Sequence, residues 1–194
     1  MRAQEFLIER WTKRTVDDYF NNKKQPTPSR RDFSVARPID GCILLKFKTI
    51  PDLTKSFFRM AEYYEGNRYS DKKQHVDMVE FLDNWMDRQG NADYFKFWDG
   101  FNITDSAFRS WRRTVGKLSQ AEQTVVDAIT QATKDMKKFC VIGVSGDDPA
   151  TVQHELFHAK YYLDPDFKRK VDQLVDECRN DPAIKAMAKV LKTK

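Results

Sequence analysis

In the stretch VQHELFHAKYYLDPDF, residues 152–167, two of the chain's three histidines stand four positions apart, and a glutamate follows the first. On a helix, positions 154 and 158 lie one turn apart and project from the same face. Two imidazole nitrogens so placed can reach one divalent ion, for zinc at roughly 2.0–2.1 Å each. Glu155 is rotated by about 100° from His154. There it can take a proton from a water whose pKa a bound zinc brings toward about 7. His154-Glu155-Leu156-Phe157-His158 therefore offers two metal ligands and a general base for hydrolysis. The plainer alternative is a pair of partly buried histidines on an ordinary helix, with Glu155 in a surface ion pair.

The surrounding residues set up elements that can hold this motif. Asp148-Pro149 is an N-cap followed by a proline suited to the first helical position, which predicts a helix over about 149–162. Val152, Leu156, Ala159 and Leu163 lie on another flank and would pin that helix to a core. Asp164-Pro165 repeats the start signal and predicts a sharp break, then a second helix over about 165–179. Upstream, FCVIGVS at 139–145 reads as a buried strand, and GDD as the turn that follows it.

The stretch HELFHA resembles the zincin metallopeptidases. So does the order strand, turn, H-E-x-x-H helix, break and second helix over residues 139–181. The resemblance implies a Zn2+ cofactor, His154 and His158 as ligands, Glu155 as general base, and a third ligand. The longer motif H-E-x-x-H-x-x-G-x-x-H is absent: Tyr161 holds the glycine place and Asp164 the last histidine place. In the gluzincin arrangement a glutamate on the next helix ligates, and an aspartate four residues later supports a histidine ligand. Glu177 and Asp181 stand in that relation, so the resemblance implies Glu177 as third ligand. Asp164, Asp172, Asp176 and His75 remain alternatives. Tyr161, one turn beyond His158, is the candidate electrophilic aid for a developing oxyanion, or else a tyrosine packing on the next helix. The substrate implied is a peptide or protein.

The other residues point to a helix-rich frame. Helices are predicted over 3–20 (Phe6, Leu7, Trp11 and Phe20 as apolar anchors), from Pro51 to about Tyr64, and after Ser70 through Val76, Val79, Leu82, Trp85 and Met86. Thr104 caps a short helix that stops near Gly116. Ser119 and Glu122 form a capping box that opens a helix with Val126, Ile129, Ala132 and Met136 on one face, and Lys137 and Lys138 suit its C-terminus. The segment 41–49 alternates Leu45 and Phe47 with Lys46 and Lys48, as in a strand with one wet face. Residues 42–48 are thus the candidate edge for pairing with an extended peptide. NADYFKFWDGF at 91–101 reads as aromatic core packing, and 21–31 as a loop or basic arm. The expected fold class is α+β, mostly helical with a small sheet, in one domain spanning 1–194. Residues 1–138 would form a cleft wall or lid, and residues 139–181 the metal-site core.

Composition narrows the function classes. Apolar residues make up 40% of the 194 and charged residues 32%, a globular balance. The three cysteines are an odd number without a C-x-x-C pair, which argues for free thiols, with Cys42 and Cys140 in strands. The N-terminus has no apolar core of a signal peptide, and the longest apolar run, 139–144, is too short for a bilayer. A cytoplasmic location without membrane contact is expected. The net charge of +5 allows nucleic acid as a partner, through Lys23, Lys24, Arg30, Arg31 and the cluster Arg109, Arg112 and Arg113, but the bases are spread among acids. A catalytically inactive zincin-like binding or structural protein is the other alternative to the hydrolase.

Overall fold

The computed structural model describes residues 32–65, 81, 98–146, 148–179 and 181–182. Among them lie β1 (Phe33–Ala36), β2 (Cys42–Phe47), α1 (Ile50–Glu65), β3 (Gly100–Thr104), α2 (Asp105–Thr114), α3 (Gln120–Ala132), β4 (Cys140–Ser145), α4 (Pro149–Leu163) and α5 (Pro165–Cys178). The fold is α+β, with helices around a small mixed sheet. The expected helices at 3–20 and after Ser70, the arm with Lys23, Lys24, Arg30 and Arg31, residues 91–97 and His75 lie outside the described residues.

The strand order is β1-β2-β4-β3. β2 and β4 run parallel, with Cys42 opposite Cys140 and Phe47 opposite Ser145. β1 and β3 are antiparallel to their inner neighbours. A parallel pair needs a long crossover, and α1, α2 and α3 lie within it and cover one face. There Ile43, Leu45, Val141, Phe101 and Ile103 meet Leu53 and Phe57 of α1, Trp111 of α2 and Ile129 of α3 in one buried cluster. Gly143 permits that approach: a Cβ there would lie 2.7 Å from the Phe57 ring and 2.8 Å from Leu53. Alternate residues turn to the opposite face. Cys42, Leu44, Cys140, Ile142 and Val144 form a second cluster with Ala159, and Val152, Leu156, Tyr162 and Leu163 of α4 pack against it. The flank expected to anchor the motif helix is the flank that does so.

Several local signals act as expected. Thr104 accepts from the Ala107 N–H and caps α2. Ser119 and Glu122 form the complete capping box of α3, and Glu122 also receives the Arg59 guanidinium from α1. The Thr49 hydroxyl accepts from the Asp52 N–H and bonds its carboxylate at 2.6 Å, fixing the start of α1 just before Pro51.

Three expectations need correction. Segment 42–48 is not an edge, because β1 pairs along its outer side and β4 along its inner side. Cys42, Ile43, Leu44 and Leu45 are all buried, and only Lys46 is half-exposed within the strand, so the wet alternation covers its end alone. The edge nearest the motif helix is β3, of which Gly100 and Phe101 fall in the segment read from sequence as aromatic packing. Lys137 and Lys138 do not end α3, which stops at Ala132; they lie in the turn before β4. Lys138 instead donates to the Tyr162 carbonyl at 2.7 Å and satisfies the C-terminus of α4. No helix among the described residues is long and apolar enough to cross a membrane.

Candidate metal and hydrolytic site

Helix α4 begins where its sequence says it should. The Asp148 carboxylate accepts from the Ala150 and Thr151 N–H groups, both at 3.2 Å, and Pro149 opens the first turn. Along the helix His154 and His158 are exposed on one flank, and their Nε2 atoms are 3.1 Å apart. The rings stand nearly edge to face with centroids 4.8 Å apart. Partial desolvation, then the neighbouring His154, lower the pKa of His158.

Glu155 takes the inward flank and is only 8% exposed. Its carboxylate comes to lie against β3 at Gly100, where a Cβ would stand 2.6 Å from Glu155 Oε1. A residue without a side chain is what admits the carboxylate at that place. Asn102 ties the same strand to the helix: its Nδ2 donates to the Glu155 carbonyl at 3.1 Å, and its Oδ1 accepts from the Cys140 thiol at 3.2 Å. Burial, then the charges of Glu65 and Asp99, push the Glu155 carboxyl up to about 7.

These groups face a cavity of about 800 Å³. Its walls are the end of α1 (Ala61, Glu62, Tyr64 and Glu65), the segment entering and forming β3 (Trp98 to Asn102, with Thr104), and the flank of α4 that carries His154, Glu155, His158, Tyr161 and Tyr162. One wall is a strand edge: among the described residues β3 pairs only with β4.

The remaining candidates are placed differently. Glu177 lies exposed on α5, accepts from Gln173 Nε2 at 2.7 Å, and does not line the cavity. The near half of α5 makes the contacts to α4: Phe167 stacks on Phe157, and Asp172 accepts from Tyr161. Glu177 lies more than a turn beyond Asp172, past those contacts. Asp164 serves as the N-cap of α5, accepting from the Asp166 and Phe167 N–H groups at 2.9 and 3.0 Å. Asp172 is held by Tyr161 and Lys168, both at 2.6 Å, and Asp176 pairs with Arg179 at 3.4 Å. Among the described residues, no group of three or more His, Cys, Asp or Glu side chains is arranged to hold a metal ion.

Tyr161 does line the cavity, but its proton is committed to Asp172, and it accepts from Lys168 at 2.9 Å. Serving a developing oxyanion would require it to leave that pair. In the basic cluster on α2, Arg109 turns back to Asp105, to the Met136 carbonyl and over the Phe139 ring. Sequence reasoning missed Gly100 and Asn102. The signals were present, a glycine and an amide in a short run ending at a helix cap, but their meaning depends on a helix that follows fifty residues later. No protein-family model, no curated protein and no solved structure matches the chain.

Proposed function

We propose that the chain is a zinc-dependent hydrolase of peptide bonds, with the cavity between α4 and β3 as its active site. The observation that carries this reading is the 3.1 Å between His154 Nε2 and His158 Nε2 at the same cavity that receives Glu155. Two nitrogens bound tetrahedrally to one zinc at roughly 2.0–2.1 Å stand about 3.3 Å apart. The imidazole pair thus fits as two ligands of one ion, and His154 and His158 are the residues that would hold it. When bound, zinc supplies Lewis acidity to a carbonyl and acidifies water toward neutral pH.

The chain's own residues then have defined tasks. Glu155, in a partly desolvated position, accepts the proton of the attacking water as its oxygen bonds to the carbonyl carbon. It delivers that proton to the amine as the C–N bond breaks. The edge of β3 offers backbone groups to an extended peptide laid along the cavity. Tyr64 and Trp98, both exposed at the cavity, offer apolar surface to its side chains.

One observation favours a second reading, a zincin-shaped binding protein without turnover: no third side chain joins His154 and His158 among the described residues. A single experiment separates the two. The purified chain is assayed for zinc by elemental analysis and for cleavage of a diverse peptide library by mass spectrometry, beside His154→Ala and Glu155→Gln. The hydrolase reading expects one zinc per chain, loss of zinc in His154→Ala, and zinc without cleavage in Glu155→Gln. Zinc in the parent without cleavage of any peptide favours the binding protein. A parent that takes up no zinc removes the hydrolase and leaves the binding protein standing.

A further inference from the structure

The cavity between α4 and β3 is lined by acids. Glu65 reaches it from the last turn of α1, Asp99 from the entry to β3, and Glu155 from α4, while among the described residues no lysine or arginine lines it. The chain as a whole carries a net +5, so this negative lining runs against the overall sign. Asp148 also lines the cavity, but its oxygens hold the first turn of α4. A separate observation concerns Glu155 alone. Its residue is more than nine-tenths buried, its carboxylate faces the cavity, and no hydrogen bond to that carboxylate comes from the described residues around it. Its oxygens open into the cavity, for among the described residues the sealed side-chain atom without a partner is Thr54 Oγ1, and a partly desolvated carboxylate gains from a cation or strong donor brought by a ligand. Exposed Tyr64 and Trp98 stand at the same cavity, and aromatic faces attract cations.

We propose that this cavity selects ligands that bring a cationic nitrogen, a Lys or Arg side chain or a free amino terminus, to Glu65, Asp99 and Glu155. The substrate class this names rests on the peptidase reading above; the selection by charge does not. Side-chain and terminal amines share the chemistry, and the probes distinguish them. Glu65 and Asp99 act as specificity-determining residues. Their carboxylates neutralise the incoming cation, while an uncharged residue of equal size leaves the three acids facing one another. Asp99 is held for this task by the Thr151 hydroxyl at 3.1 Å.

The test uses pools of short, acetylated and amidated peptides, randomised over uncharged residues, with lysine, arginine or norleucine fixed at the centre. A further norleucine pool carries a free amino terminus. Affinities are measured by calorimetry on the protein as purified, with a chelator-treated sample beside it to separate binding from turnover. The expected result is at least about tenfold tighter binding of one cationic class than of the capped norleucine pool. That preference should weaken at high salt. It should vanish in the double variant Glu65→Gln, Asp99→Asn, whose fold is checked by circular dichroism. If the double variant does not fold, Glu65→Gln alone, at an exposed position, must reduce the preference several-fold. Equal affinity for all pools, no binding of any pool, or a preference that survives the substitutions would overturn the proposal. Selective binding without cleavage would remove the peptidase reading and leave charge selection standing. Cleavage of all pools at equal rates would do the reverse.

Discussion

Glu155 is the residue whose burial pH should expose. Its carboxyl is pushed up to about 7 by desolvation first, then by Glu65 and Asp99. A raised carboxyl pKa means that the folded state binds the proton more tightly than the unfolded chain does. The stability linked to that proton is fully present below the unfolded carboxyl pKa and is lost as pH rises through about 7. In chelated protein, Glu155→Gln should therefore match the parent near pH 4 and exceed it by about 1–3 kcal/mol above about pH 8, read by urea unfolding. A variant that is less stable than the parent at both pH values would contradict the buried, unpaired carboxylate. Gly100→Ala tests the same contact from the strand. Its Cβ would meet Glu155 Oε1 at 2.6 Å, and the side chain's free end can yield. The stability loss should stay within about 1 kcal/mol, while peptide cleavage falls at least about tenfold because the base is displaced. The imidazole pair was legible in sequence because a four-residue spacing fixes a helical face locally. The burial of Glu155 was not, since it depends on Gly100 and on the strand that carries it.

Among the elements, α5 departs furthest from what its spacing suggested. The distance from His158 to Glu177 matches a glutamate ligand on a following helix, and both helices form within a residue or two of their expected limits. What spacing could not supply is direction. Asp164 sets the break, the Phe157–Phe167 stack and the Tyr161–Asp172 bond fix the near half of α5, and no residue of α5 is buried. A helix held by one neighbour and one cap should be the first of the described elements to open. Asp164→Ala removes that cap, so amide exchange over 165–178 should become several-fold faster while α4 and the sheet keep their protection, by mass spectrometry. If His154 and His158 are the ligands without Glu177, zinc content should not change; a variant that loses zinc would bring α5 back into the site. The short edge strands β1 and β3 escaped notice for a related reason. Each spans only four or five residues and gave no strand signal, whereas β4 was legible as an apolar run and β2 through the alternation at its end.

For the whole molecule, one sheet separates two cores of unequal size, and the candidate site hangs from the smaller. The larger cluster joins α1, α2 and α3 and contains Phe57, Phe58, Ile129 and Trp111. Among the described residues the smaller has six buried members, with Ala159 as the one contribution of α4 that is wholly buried. Positioning of the histidines therefore depends on modest packing of α4 and on polar ties to its neighbours: Thr151 to Asp99, Asn102 to the Glu155 carbonyl, Tyr162 to Asp105 and Lys138 to the Tyr162 carbonyl. Two substitutions separate folding from positioning. Leu53→Ala, at a fully buried site that packs on Gly143, should cost about 2–5 kcal/mol of global stability by urea unfolding. In protein that remains folded, zinc affinity should be unchanged. Asn102→Ala removes the tie between strand edge and motif helix and leaves the larger cluster intact. Its global cost should be about 1 kcal/mol, yet zinc affinity and cleavage should fall together, because both depend on where α4 sits over β3. If Asn102→Ala leaves metal binding untouched while Leu53→Ala abolishes it in folded protein, the larger core, not the strand edge, sets the geometry of the imidazole pair.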